Sequence, residues 1–288
     1  MTTALMTIDN MSEDALLELI GQGNSGTGPS IPSLNINRDA ENDDGKQLPI
    51  GTYAAYSQEH KKVIYSKTAT LRPVMRAFQY RVWDEAKKEY KNRSVFIKRW
   101  SDEAFDELGG LACGKVSRKQ SASLSDAEKV KQKAIKTRIV LFGLLTMTGQ
   151  TEDGDALAIT DQLVMWSGSG SSFMLISEPI DKLGDKVPMF TKKLLLTAPK
   201  RNKEGSTVWY TPELSWDEGS YPFDLTVKDG IVASQQLIDT TNKEVLAKWN
   251  NVSKKRAKTP DDGKMIDITK ELELVDADSA PINDKIPF

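Results

Sequence analysis

The sequence contains one cysteine, Cys113, and one histidine, His60, among 288 residues. That scarcity excludes an internal disulfide and any structural zinc site, which draws on several Cys or His ligands. Nucleophilic catalysis of the Cys-His or Ser-His kind would have to recruit His60, which stands in the hydrophilic stretch Gln58–Lys62 and reads as a solvated turn. Long apolar runs are missing too: the longest, Ile139–Leu145, falls far short of the roughly 20 residues that span a bilayer. No membrane partner is expected. The first twenty residues lack Lys and Arg and carry Asp9, Glu13, Asp14 and Glu18, a pattern that excludes a secretory signal and argues against a transit peptide. A cytoplasmic protein is the expectation.

A chain of 32.0 kDa that is 39% hydrophobic and 28% charged has a core to bury, together with some length that stays polar. Its formal net charge of -2 hides a segregation. Residues 1–45 set eight acids against Arg38 alone, and residues 261–288 set eight acids against three lysines, whereas residues 46–260 carry a net charge of +10. Within that middle, residues 61–99 hold twelve bases against Asp84, Glu85 and Glu89. Such a surplus suits a polyanion, because each cation that neutralises a phosphate releases condensed counterions. Tyr65, Phe78, Tyr80, Trp83, Tyr90, Phe96 and Trp100 are interleaved with these bases, and unpaired nucleobases stack on such rings. Some of these rings must instead be core.

Along the chain, residues 1–45 read as an acidic flexible arm with one short helix, capped by Ser12 and stopped at Gly21. Strands are expected at 51–57, 62–70, 74–83, 94–100, 111–116, 135–148 and 157–166, where the pattern turns to period two. Short helical inserts are expected at 101–108 and at 125–133, the latter capped by Ser125. A helix over 171–183, a hairpin of 192–199 and 207–216, and a helix over 231–248 complete the core. The expected fold is mainly β with inserted helices (α+β), an elaborated OB-type antiparallel barrel over residues 46–252, with disordered acidic termini. Residues 253–288 read as a disordered acidic tail.

Three motifs suggest chemistry and are outweighed by their setting. Gly109–Lys115 has P-loop spacing, but Val116 stands where magnesium coordination needs Ser or Thr. Gly21–Gly26 matches a dinucleotide fingerprint only inside a low-complexity arm. Glu152, Asp153 and Asp155 could ligate a metal, yet they sit where a turn between strands needs polar residues. No carboxylate pair stands in an apolar context that would separate its two pKa values. The reading is therefore of a protein that is not an enzyme and needs no cofactor or metal.

The chain ends Asn283-Asp284-Lys285-Ile286-Pro287-Phe288. An acidic segment with an apolar, carboxylate-bearing tip suits a basic-rimmed apolar pocket on a partner. This tip, with the basic-aromatic run Lys61–Trp100 and especially Tyr90–Ser94, resembles single-stranded DNA-binding proteins of the bacterial and phage replication type, most of all the phage-encoded members. Lys285 stands where the bacterial pattern has an acid, and the long arm and late helices depart from the compact bacterial form. The resemblance implies an OB-fold core that coats single-stranded DNA during replication, recombination or repair, in the host cytoplasm if phage-encoded. It also implies recruitment of replication or recombination proteins through Asp284, Ile286, Pro287 and Phe288.

From the pattern itself, Arg76, Arg81, Lys98 and Arg99 are the phosphate candidates, and Phe78, Tyr80, Trp83 and Trp100 the stacking candidates. Period two puts Arg76, Phe78 and Tyr80 on one face and Arg81 and Trp83 on the other, so only part of this set can share a groove. A homo-oligomer is left open. The rival reading is a structural or assembly protein of a phage particle, using a basic barrel and flexible arms.

Overall fold

The computed structural model describes residues 31–84, 89–99, 104–107, 122–184 and 186–258. Nine strands and three α-helices make up this part: β1 (Ser33–Ile36), β2 (Tyr53–Ser57), β3 (Lys62–Ser66), β4 (Ala69–Asp84), β5 (Glu89–Arg93), α1 (Asp126–Ala134), β6 (Ile135–Gln150), β7 (Ala156–Ser169), α2 (Ser171–Leu183), β8 (Leu194–Glu204), β9 (Thr207–Trp216) and α3 (Leu225–Lys258). The molecule is mainly β with a mixed sheet and few helices. Neighbouring strands run in the order β3-β2-β1-β7-β6-β4-β8-β9, with β5 on β4.

The long central strands carry both faces of the core. Along β6, Ile139, Leu141, Leu145 and Met147 enter one apolar cluster, and Val140, Phe142 and Leu144 enter the other. This explains the continuous apolar run, since a strand covered on both sides has no polar face to show. The first cluster is closed by Ile176 and Ile180 of α2 and by Leu34, Tyr53 and Ile64 of β1 to β3; the second is closed by Val227 and Ile238 of α3.

In β4, Pro73 lacks the N–H a central strand needs, and it is accommodated at a bulge: Pro73 pairs with Gly143, Met75 with Phe142, and Val74 has no partner in the register. The sequence pattern ends one strand before Pro73 and begins another after it, but the structure carries a single strand through. The unpaired residue reverses the strand's alternation. Ala69 and Leu71 face the first cluster before the bulge, Phe78 and Tyr80 after it. Gly143 is required here, because a Cβ would lie 2.9 Å from the Arg72 carbonyl oxygen.

The expected antiparallel pairing holds for the other strand pairs, but β1 pairs with β7 in parallel, Leu34 beside Trp166, so the sheet is mixed. β1 also lies within the stretch expected as a flexible arm. Leu34 is fully buried there, and burial against β7 and β2 supplies what the polar neighbours lack. Tyr65 of β3 pairs with Gln150 of β6, so the pairings run round a ring, β3-β2-β1-β7-β6.

Other boundaries shift. Glu89–Arg93, expected as part of a connection, is the strand that pairs with the end of β4, while Ser94 and Ile97 make only isolated bridges, to Asp106 and Phe78. Residues 104–107, within an expected helix, are not helical, because the Phe105 carbonyl accepts from the Val95 amide at 2.8 Å. α1 starts as expected on Ser125: the Glu128 amide donates to Ser125 Oγ at 3.3 Å and the Ser125 amide to Glu128 Oε2 at 2.7 Å, a reciprocal cap. α3 extends to Lys258, past the expected start of the tail. The short helix at Ser12, the strand at 111–116, the two glycine motifs and the tip Asp284–Phe288 lie outside the described residues. No described helix is long and apolar enough to cross a membrane.

Candidate nucleic-acid interface

Of the described residues proposed from the sequence, Phe78 and Tyr80 lie in the core. Phe78 and Tyr80 are 4% and 2% exposed, members of the first core cluster, with the Phe78 ring 6.2 Å from that of Phe173. Neither offers a face to a nucleobase. As stacking candidates they are corrected to core, because the bulge at Val74 sets their phase inward. Arg76 is half-buried, forms an ion pair with Asp181 of α2, and lies 5.3 Å from the centroid of Phe78. Arg81 donates from Nε to Gln79 Oε1 at 2.9 Å. Lys98 and Arg99 are exposed, as expected of phosphate ligands. The Trp83 side chain and Trp100 lie outside the described residues.

Four of the twelve bases in the run are answered by carboxylates within the fold. Lys62 pairs with Asp155 at 2.8 Å, and Arg93 pairs with Glu107 at 2.8 Å and with Glu244 at 2.9 Å. Arg72, 7% exposed, donates to Asp224 at 2.6 Å, to the Phe190 carbonyl at 2.7 Å and to the Pro222 carbonyl. Asp155, Asp181, Asp224 and Glu244 lie far from their partners in sequence, whereas Glu107 is 14 positions from Arg93. Burial pushes the Glu107 carboxyl up, but hydrogen bonds from Arg93 and Lys248, with their charges, outweigh it and hold the group below its ordinary value.

The acidic turn at 151–155 is likewise occupied. Asp153 accepts from Lys46 at 2.6 Å and Asn42 donates to Glu152 at 2.8 Å, which ties the β6–β7 turn to the loop before β2. Hydrogen bonds from Lys46 and Lys62 are the main reason the Asp153 carboxyl lies below its ordinary range. Among the described residues no group of three His, Cys, Asp or Glu side chains is placed to hold a metal. A half-open cavity of about 570 Å³ is bordered by Asn35, Arg38, Asp39, Tyr65, Trp166 and Ser172. It sets Arg38 against Asp39, so its rim carries no net charge to attract a phosphate.

A different cationic element emerges at the β8–β9 hairpin. β8 pairs with β4 only through Leu194–Leu196 and thereafter with β9 alone. The register slips between Thr197 and Lys200, where Ala198 and Pro199 oppose Pro212. Beyond this bulge a two-stranded ribbon runs to a two-residue turn, Gly205–Ser206, with Gly205 at φ 56°, the left-handed region a tight hairpin uses. Lys200, Arg201 and Lys203 are all exposed on it, and no ion pair engages them among the described residues. The sequence signal was present: three cations in four residues beside a glycine turn, overshadowed by the larger run at 61–99. No family model matches the chain, and comparisons with curated proteins and with solved structures find no match.

Proposed function

We propose that this chain binds single-stranded DNA without strong sequence preference, protecting it during replication or recombination. We further propose that it recruits partner enzymes through the C-terminal tip Asp284, Ile286, Pro287 and Phe288, and that its sheet is an elaborated OB-type barrel. The ring of pairings closed by Tyr65 and Gln150 supports the last point. One observation carries the functional reading: a middle segment of net charge +10 is flanked by acidic ends. What surplus the ion pairs leave stands on solvent-facing side chains such as Lys98, Lys200, Arg201 and Lys203. Solvent-facing cations of this kind draw in a flexible polyanion, most strongly at low salt, and release its counterions on contact.

Titration with a poly-dT oligonucleotide and with duplex, across a series of salt concentrations, tests this. Binding that favours the single strand and weakens with a salt slope of about -0.7 per neutralised phosphate is expected. Absence of binding would refute it and favour the structural or assembly role in a phage particle. The tip is tested separately: Phe288→Ala should retain DNA binding and lose capture of a polymerase, primase or recombination protein, and equal capture by both forms would refute that role.

A further inference from the structure

We infer that the outer part of the β8–β9 ribbon, and not the surface of β4, is the element that grips the sugar-phosphate chain; this rests on the reading that the protein binds single-stranded DNA. Residues 199–211 contain Lys200, Arg201 and Lys203 against one acid, Glu204. Of the run at 61–99, Lys98 is exposed, but four cations are held by carboxylates: Lys62 by Asp155, Arg72 by Asp224, Arg76 by Asp181, Arg93 by Glu107. A phosphate approaching those residues would have to displace an existing partner, whereas on the ribbon it displaces only water and counterions.

The ribbon also places apolar surface beside charge. The register sets Arg201 opposite Tyr210 and Lys203 opposite Val208 on one face, and Asn202 opposite Trp209 next to Lys200 on the other. Trp209 and Tyr210 are half-buried, so each keeps part of its ring open to solvent. A strand drawn across the ribbon's edge meets a cation and a ring on either side, the combination that sequence-tolerant binding uses.

The ribbon is braced for this task. The Tyr210 ring lies against Gly51, where a Cβ would come within 2.5 Å of the ring, and Asn202 Nδ2 donates to Thr211 Oγ1 at 2.9 Å across the strands. A finger already held in place loses little freedom when the ligand arrives.

The full-length chain and the variant K200Q/R201Q/K203Q are compared for poly-dT affinity across a salt series. Three lost contacts predict a salt slope shallower by about 2 and an affinity lower by roughly a hundredfold at 0.1 M salt. Because the three side chains face solvent, melting should be unchanged; should the triple variant misfold, R201Q alone is expected to flatten the slope by about 0.7. Trp209→Leu should remove part of the tryptophan quenching that poly-dT produces. If the parent chain binds and the variant binds within about twofold with the same slope, the ribbon inference fails while the single-strand reading stands. Tighter binding by the variant would overturn the inference in favour of the ribbon holding an acidic segment of this chain. If the parent chain itself does not bind, both fall.

Discussion

Arg72 of β4 and Asp224 at the start of α3 are joined by an ion pair of 2.6 Å, across 152 positions of sequence. The same arginine caps the Phe190 carbonyl, and Asp224 in turn accepts from the Val227 amide at 2.9 Å, so one contact fixes the central strand to the helix that covers its second face. Two backbone carbonyls depend on the guanidinium, which makes lysine a poor substitute.

Arg72→Ala should therefore cost about 2 to 4 kcal/mol, read from the urea midpoint, since it removes a buried guanidinium, its charge pair and the donors to two part-buried carbonyls. Arg72→Lys should recover only part of that. An unchanged midpoint in the alanine variant would mean that α3 is held by its apolar contacts alone.

Gly149 precedes the residue that pairs with Tyr65, and a methyl group there would run into the Tyr65 carbonyl oxygen. Gly149→Ala is expected to open the β3–β6 contact and to destabilise the protein by about 1 to 3 kcal/mol. Hydrogen exchange at β3 should rise more than at β4, which would separate local opening from global loss.

Acid should weaken the link between residues 104–107 and α3. The Glu107 carboxyl is held below its ordinary value by Arg93 and Lys248, so the native state favours its charged form. Its stabilisation is present above the unfolded value of about 4.3 and is lost as pH falls through the lower folded value. Glu107→Gln should lower the melting temperature at neutral pH and show a smaller further drop below about pH 4.5 than the parent chain does. Equal drops in both would assign the acid sensitivity to other carboxyls.

Phe78 tests core against interface. Phe78→Ala should cost about 3 to 5 kcal/mol, as truncation of a buried ring does, while leaving the salt slope of DNA binding untouched. A flattened slope in a variant that remains folded would return β4 to the interface.

Local signals were legible and distant ones were not. α2 follows its helical spacing from Ser171 to Leu183, and α1 follows its Ser125 cap, because both depend on residues a few positions apart. β1 is illegible locally since its Leu34 and Ile36 lie among Asn, Ser and Pro, and it is pairing with β2 and with β7, the latter some 130 positions away, that makes them a strand. Two of the stacking candidates, Phe78 and Tyr80, are core for a related reason, since the bulge that sets their phase arises from pairing with the distant β6. The excess charge at 61–99 is real in sequence, but Asp181, Asp224 and Glu244 answer part of it from far along the chain, which no local window reveals. What sets Lys200, Arg201 and Lys203 apart is that no ion pair reaches them among the described residues, a property of the fold that the segment itself does not show.

The unpaired Val74 makes β4 two half-strands of opposite parity, and each half is fixed by different neighbours. Deleting that one residue would restore strict alternation and force a choice: either Ala69 and Leu71 or Phe78 and Tyr80 would turn away from the cluster they now fill. Homologous chains should therefore tolerate changes of side chain at this position far more readily than a change in length, and an alignment gap at Val74 would mark a protein folded around a different core.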